Sequence, residues 1–416
     1  MILFQLGRQP EIGLAEIEAV YRKKPQQIER RFAMLNIDKD AALADAWRLG
    51  SAVKIMTVVD DDFSLDARSA TTLSKKIFTG VCGKVTVGLS LYGFHDANKT
   101  ARQIGAIAKQ TLSEMLDISS VRLLLDKSGA LSTATVLHNG LARGNNKKVE
   151  LNFVKNGDKI IVATTLFVQN IDSYTVRDRE KPRRDAHNGM LPPKLAQTII
   201  NLAVGASDLS KDAPLNIYDP YCGTGTVLIE AALMRDGNHA SPLFKKLIGS
   251  DLNPQMIDNT KANLAWADER LHAKASEGTT RFVADATEGK SAPNKQSSSS
   301  APSKERASYD ANIIATECYL GRPYTTPPSN SELEQNIKTC DIIIGKFLQN
   351  ISVALPQGAG LCVAVPCWQV RGKIYHLPCL KNIEHYRYNK QLGYGLVYRR
   401  PEQIVGRELA VVRKML

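Results

Sequence analysis

The chain has 416 residues, 43% of them hydrophobic, with 54 Lys and Arg against 42 Asp and Glu for a formal net charge of +12. That length exceeds one typical domain, so two or three folding units are expected, and no run approaches the ~18 consecutive apolar residues of a membrane span. The seven cysteines form no C-x-x-C pair, which argues against a zinc site or a disulfide framework, and the basic balance favours a polyanionic partner. Met1 to Leu6 turns polar too soon for a signal peptide, so a cytoplasmic location with reduced, structural thiols is the expectation.

In chain order, Ile2 to Leu6 reads as a strand, and Leu14, Ile17, Val20 and Tyr21 recur at helical spacing. A compact ferredoxin-like α+β domain over residues 1–75 fits this pattern. From Lys84 the alternation Val85, Val87, Leu89, Leu91 indicates a half-buried strand, and Ile104, Ile107, Ala108, Leu112 and Met115 mark an amphipathic helix. Further strands are expected at Val121 to Leu125, Thr133 to Leu137, Val149 to Phe153 and Lys159 to Phe167, which makes 76–170 a second α+β segment. It lacks the aromatic stacking motif of an RRM. Residues 171–195 form a basic connector in which Arg177, Arg179, Lys181, Arg183 and Arg184 surround Asp178 and Glu180. Guanidinium pairs bidentately with phosphate, so the arginines are candidate RNA contacts, while the acids suit internal ion pairs.

The chemistry is concentrated in residues 196–416. Leu215 to Tyr218 reads as a strand that runs through Asp219-Pro220-Tyr221-Cys222-Gly223-Thr224-Gly225-Thr226 into the apolar helix Val227 to Met234. Gly223 and Gly225 permit positive φ and close approach of a ligand to the backbone. Leu247 to Asp251 is the next strand, with a helix from about Pro254. Asp251 is placed to accept both ribose hydroxyls or to cap that helix, and the two roles are compatible. A third unit, Thr280 to Thr287, ends in Asp285, which suits an adenine amino group or a helix cap. The third glycine of a dinucleotide fingerprint is replaced by Leu228, and G-K-[ST] is absent. Acids without an anion-binding lysine suit a ligand with ribose and adenine but no pyrophosphate, and S-adenosylmethionine is that ligand. Glu288 to Ser308, with four consecutive serines, is expected to be a disordered insertion. The fourth strand, Ala311 to Ala315, leads into Thr316-Glu317-Cys318-Tyr319.

The glycine turn, Tyr174 to Asp178, Arg183 to Asp185, the run Gly189-Met190-Leu191-Pro192-Pro193-Lys194-Leu195-Ala196 and the closing Leu396 to Glu408 resemble the THUMP-containing tRNA guanine-N2 methyltransferases over most of the chain. The resemblance implies an α/β fold: a Rossmann-like methyltransferase domain, with a mainly parallel seven-stranded sheet and helices on both faces, preceded by ferredoxin-like and THUMP α+β domains. It implies tRNA as partner, gripped by the THUMP domain at the acceptor end, and S-adenosylmethionine held by Asp219, Tyr221, Gly223, Gly225, Thr226, Asp251 and Asp285. It adds Lys194 to Arg177, Arg179, Arg183 and Arg184 as RNA contacts. A monomer is expected, with a small activating subunit left open.

The chain departs from the family at the D-P-P-Y or N-P-P-Y tetrapeptide whose polar groups and ring hold the target amine. Aligning Tyr319 with the aromatic puts Thr316 at the acidic position and Glu317 one residue later. These three are the candidate catalytic residues, Glu317 as acceptor of the amine proton. Other readings stand beside this one: a silent site that keeps ligand binding, an altered target, DNA adenine-N6 methylation, and a covalent route through Cys318 or Cys222.

Overall fold

The structure, a computed structural model, describes residues 1–142, 146–185, 190–210, 212–235, 241–275, 279–283, 286–287, 310–391 and 395–416. It divides into two compact units, the first Met1–Leu14, Lys24–Trp47 and Ala52–Tyr174, the second Ala15–Lys23, Arg48–Ser51 and Thr175–Leu416.

Up to Arg179 the chain runs through β1 (Ile2–Leu6), α1 (Pro10–Tyr21), β2 (Gln26–Glu29), β3 (Phe32–Leu35), α2 (Lys39–Ala44), β4 (Ala52–Asp60), α3 (Ala67–Phe78), β5 (Gly83–Tyr92), α4 (Ala97–Ser113), β6 (Ile118–Leu124), α5 (Thr133–His138), β7 (Lys148–Asn156), β8 (Lys159–Val168) and α6 (Ile171–Arg179). The eight strands form one mixed sheet in the order β2-β3-β1-β4-β8-β7-β5-β6. The antiparallel pairing of β4 with β8 joins into one sheet the segments expected as separate domains. Val85, Val87, Leu89 and Leu91 of β5 are all buried, as their alternation predicts, because the face they share packs with Leu73 and Phe78 of α3 and Ile104 and Leu112 of α4. Thr133 to Leu137 is corrected from strand to helix. The Ser132 side chain accepts the Thr135 N–H and starts α5, so capping chemistry overrides the β-branched composition. Met115 falls just beyond the end of α4.

The second unit contains α7 (Pro193–Ala206), β9 (Asn216–Asp219), α8 (Thr226–Leu233), β10 (Lys246–Asp251), α9 (Pro254–Leu271), β11 (Thr279–Val283), β12 (Ile313–Glu317), α10 (Asn330–Ala354), β13 (Gly360–Val370), β14 (Lys373–Tyr375), β15 (Tyr388–Lys390), β16 (Leu396–Tyr398) and β17 (Val405–Lys414). Its sheet runs β11-β10-β9-β12-β13-β17-β15, with β14 beside β13 and β16 beside β17. The five strands from β11 to β13 are parallel, whereas β17 and β15 are antiparallel. The sheet is therefore mixed, and the mainly parallel expectation holds for its first five strands.

Parallel strands are covered on both faces and read as continuous apolar runs, as in Gly360–Val370, where ten of eleven residues are buried. Helix α10 starts at a capping box, Ser329 with Glu332, and buries Ile344, Phe347, Leu348 and Ile351 with Tyr218, Ile314, Leu361 and Val363 of the strands. Successive strands step outward from β9 to β11 on one side and from β12 to β13 on the other. The reversal lies between β9 and β12, and the crevice beyond the carboxyl ends of such a strand pair is where open α/β sheets bind ligands.

Candidate active site

The glycine turn leaves β9 at this switch point. Gly223 (φ 50°) and Gly225 (φ 81°) both lie in the left-handed region that favours glycine. Gly225 is the N-cap of α8, and a Cβ added there would stand 3.0 Å from Thr260 Cγ2. It opens the helix under close packing, and it does not line the cavity. Gly223 does, and a Cβ on it would meet nothing nearer than Tyr221 O at 4.0 Å. The missing side chain leaves room for a ligand against the backbone. Asn263 is buried and donates to the Thr224 carbonyl at 2.8 Å, and Thr260 donates to the Gly223 carbonyl at 2.7 Å, so α9 braces the turn.

A cavity of about 730 Å³ opens over the turn, lined among others by Asp219, Tyr221, Gly223, Thr226, Asp251, Glu317, Tyr319 and Arg407. Asp251 accepts the Gly223 N–H on Oδ2 at 3.0 Å and the Asn253 N–H on Oδ1 at 2.9 Å. It thus ties the end of β10 to the turn, and Asn253 rather than Asp251 caps α9. Asp219 is 2% exposed; burial pushes its carboxyl up to about 7, against the Thr316 hydroxyl and Tyr221 N–H that donate to it, and the nearby Asp251 and Glu317 push it the same way. The Tyr221 ring packs edge-on against Phe347 at 5.3 Å.

Thr316 is fully buried and donates to Asp219 Oδ1 at 2.6 Å. That contact turns it towards the glycine-turn strand and away from the amine-holding role its alignment suggests. Glu317, at the end of β12, accepts from Arg407 Nε of β17 in a largely buried ion pair. Tyr319 is 45% exposed and lines the cavity. Burial pushes the Cys222 and Cys318 thiols well above their ordinary range, which favours the thiol over the nucleophilic thiolate and weighs against a covalent cysteine route. Asp285 and residues 288–308 lie outside the described residues.

The basic connector divides in two. Arg177 is 8% exposed and its Nε donates to Glu230 of α8 at 2.7 Å, a burial that corrects the expectation of a phosphate contact. Lys181, 3% exposed, donates to Thr226 Oγ1 at 2.7 Å; burial pulls its ammonium down to about 8. The Arg183 backbone is clamped by Asn263 through two hydrogen bonds of 2.9 Å. Arg179, Arg183 and Arg184 are exposed, and Lys194 is half-buried at the start of α7, its ammonium lowered by burial and by Arg177. Arg407 is the site residue that sequence reasoning missed: it stands in the quoted closing stretch, but its partner lies 90 residues away.

Comparison with known proteins agrees with this geometry. Residues 180–288, which take in the connector from Glu180 onward, the glycine turn and Asp251, match the UPF0020 family, described as an RMKL-like methyltransferase domain. The tRNA (guanine(10)-N2)-dimethyltransferase of Methanocaldococcus jannaschii is 34% identical over 111 residues, 25% of this chain and 27% of that protein. The enzyme of the same name from Methanothermobacter thermautotrophicus is 32% identical over 108 residues, 26% of this chain and 27% of its own length. The chain thus matches about a quarter of the length of these curated relatives. Over the whole chain, TrmN from Thermus thermophilus aligns with 100% of this chain and 99% of its own at 14% identity and a TM-score of 0.48. The segment around the glycine turn is thus similar to methyltransferase domains of the RMKL-like kind.

Proposed function

We propose that the chain is an S-adenosylmethionine-dependent RNA methyltransferase acting on an exocyclic nucleobase amine, with guanine N2 of tRNA as the preferred target. The observation that carries this reading is the cavity at the switch point, which is lined both by Asp219, Gly223 and Asp251 and by Glu317 and Tyr319. The two halves of a bisubstrate site share one crevice. The open space at Gly223 and the carboxylates beside it suit the adenosyl and amino-acid parts of the donor, with Asp251 facing the ribose and Asp219 the ammonium group. When bound, S-adenosylmethionine supplies an electrophilic methyl group on a positively charged sulfur.

On this reading Tyr319 stacks on a base extruded from its helix, and Arg407 holds one oxygen of Glu317 so that the other faces the amine. Glu317 would take up the proton that the amine nitrogen sheds on gaining the methyl group. Proximity and orientation supply most of the acceleration. The preference for tRNA guanine N2 rests on the sequence resemblance and on the names of the curated relatives. A second reading, a silent site that binds donor and RNA, is favoured by the pairing of Glu317 with Arg407. The test is methyl incorporation from labelled donor into unmodified tRNA, with duplex DNA offered in parallel. Incorporation into tRNA that Glu317→Gln slows about 100-fold supports the enzyme, donor binding without incorporation supports the silent site, and incorporation into DNA alone overturns the RNA assignment.

A further inference from the structure

A second depression, of about 390 Å³, adjoins the main cavity, and Tyr319 and Tyr324 line both. Its remaining wall comes from Arg322 and from the first three turns of α10, Gln335 and Thr339 among them. The segment that separates the two hollows is fixed to that helix. Asn336, 8% exposed, accepts the Arg322 N–H at 3.1 Å and donates to the Arg322 carbonyl at 3.2 Å and to the Tyr324 hydroxyl at 3.1 Å. Gly321 (φ 77°) lies so close to this anchor that a Cβ would stand 2.5 Å from Asn336 Oδ1. Tyr324 in turn donates to the Glu332 carbonyl at 3.2 Å. The carboxylate of Glu332 is occupied by the Ser329 N–H and hydroxyl at 2.9 and 2.8 Å, so it is spent on the helix cap. A pinned backbone therefore presents an exposed tyrosine and an exposed guanidinium side by side at the mouth of the cavity.

We propose that this depression is a subsite for the nucleotide next to the target base in the RNA strand from which that base is extruded. The inference rests on the reading of the main cavity as a nucleobase site. An aromatic ring beside a guanidinium is the chemistry that single-stranded nucleic acid recognises: bases stack on the ring and the phosphate pairs with the arginine. Tyr319 stands between the hollows, so a target base on its cavity side leaves its other side to the neighbouring base. Arg322 then meets the phosphate that links the two nucleotides, and the Gln335 amide faces the edge of the second base. Backbone rigidity matters here because an ordered platform loses less conformational freedom on binding than a mobile loop does.

The experiment uses the full chain with Arg322→Ala and Gln335→Ala. Three quantities are read for each: affinity for S-adenosylhomocysteine, affinity for unmodified tRNA as a function of salt, and kcat and KM for methyl transfer. For Arg322→Ala the expected result is an unchanged affinity for S-adenosylhomocysteine, a KM for tRNA raised on the order of fivefold with kcat nearly unchanged, and a salt slope smaller by about one. Gln335→Ala should raise KM without changing the slope. If wild type methylates tRNA and neither variant alters KM or slope, the subsite is wrong and the methyltransferase reading stands. If wild type transfers no methyl group, that reading fails, and the direct tRNA affinities still decide the subsite: an unchanged slope in Arg322→Ala overturns it, a reduced slope supports it.

Discussion

Thr316 donates its hydroxyl to Asp219 at 2.6 Å, which links the carboxyl ends of the two central parallel strands across the switch point. The carboxyl of Asp219 is pushed up to about 7, chiefly by burial. Between the ordinary carboxylate range and that value the folded chain holds a proton that the unfolded chain has released. This group's contribution to stability therefore falls as pH rises through that window. Asp219→Asn keeps the acceptor for Thr316 and never ionises. It is expected to leave Tm near pH 4 unchanged and to raise it near pH 8, on the order of 3 °C. Donor affinity in the wild type should grow as pH rises towards about 7, because the donor's ammonium pairs with the ionised form, and the Asn variant should lose that dependence. Identical pH profiles of Tm and affinity in the two proteins would count against both roles.

The two glycines of the turn separate fold from binding. Gly225→Ala strains a left-handed residue and presses on Thr260, so it should cost roughly 1–2 kcal/mol of stability as read by urea unfolding. Gly223→Val adds bulk where the structure leaves open space on the cavity side. It should reduce S-adenosylhomocysteine binding at least about tenfold, more than its stability loss explains.

Arg407 of the antiparallel strand β17 pairs with Glu317. Glu317→Gln is expected to lower kcat about 100-fold, within the usual contribution of a positioned base. Arg407→Met should lower kcat roughly tenfold and leave donor affinity unchanged. A variant that loses donor binding and kcat together would show that the pair shapes the donor pocket instead.

Within the connector, burial divides the arginines by role. Arg177→Ala leaves Glu230 buried without its cation and should cost about 3–5 kcal/mol, with no change in the salt dependence of tRNA binding. The double change of Arg183 and Arg184 to Ala, at exposed positions, should leave Tm within about 2 °C and reduce the salt slope by about two. Equal slopes would exclude a phosphate contact at these two side chains.

These contrasts show what local pattern reveals. The strand, glycine turn and helix from Asn216 to Leu233 were legible because an apolar run, two glycines and a second apolar run follow each other without interruption. The same is true of β5, whose alternation is undisturbed. Thr133–His138 is less legible, because Thr133, Thr135 and Val136 are β-branched and suit a strand, while the Ser132 cap starts a helix. Burial of Arg177 and Lys181 was hidden because both pack at α8, through Glu230 and Thr226, tens of residues later. The Arg407 pairing was hidden for the same reason, since it depends on two strands that meet only through β13. Charge runs announce themselves in a sequence, but which charges turn inward depends on partners that only the fold brings near.

The central claim is that the crevice at Gly223 holds the methyl donor. Isothermal titration of the full chain with S-adenosylhomocysteine tests it most directly, with Gly223→Val as the comparison. Saturable one-site binding by the wild type that the variant loses is the predicted result. No binding by a folded wild type, or equal binding by both proteins, would contradict it.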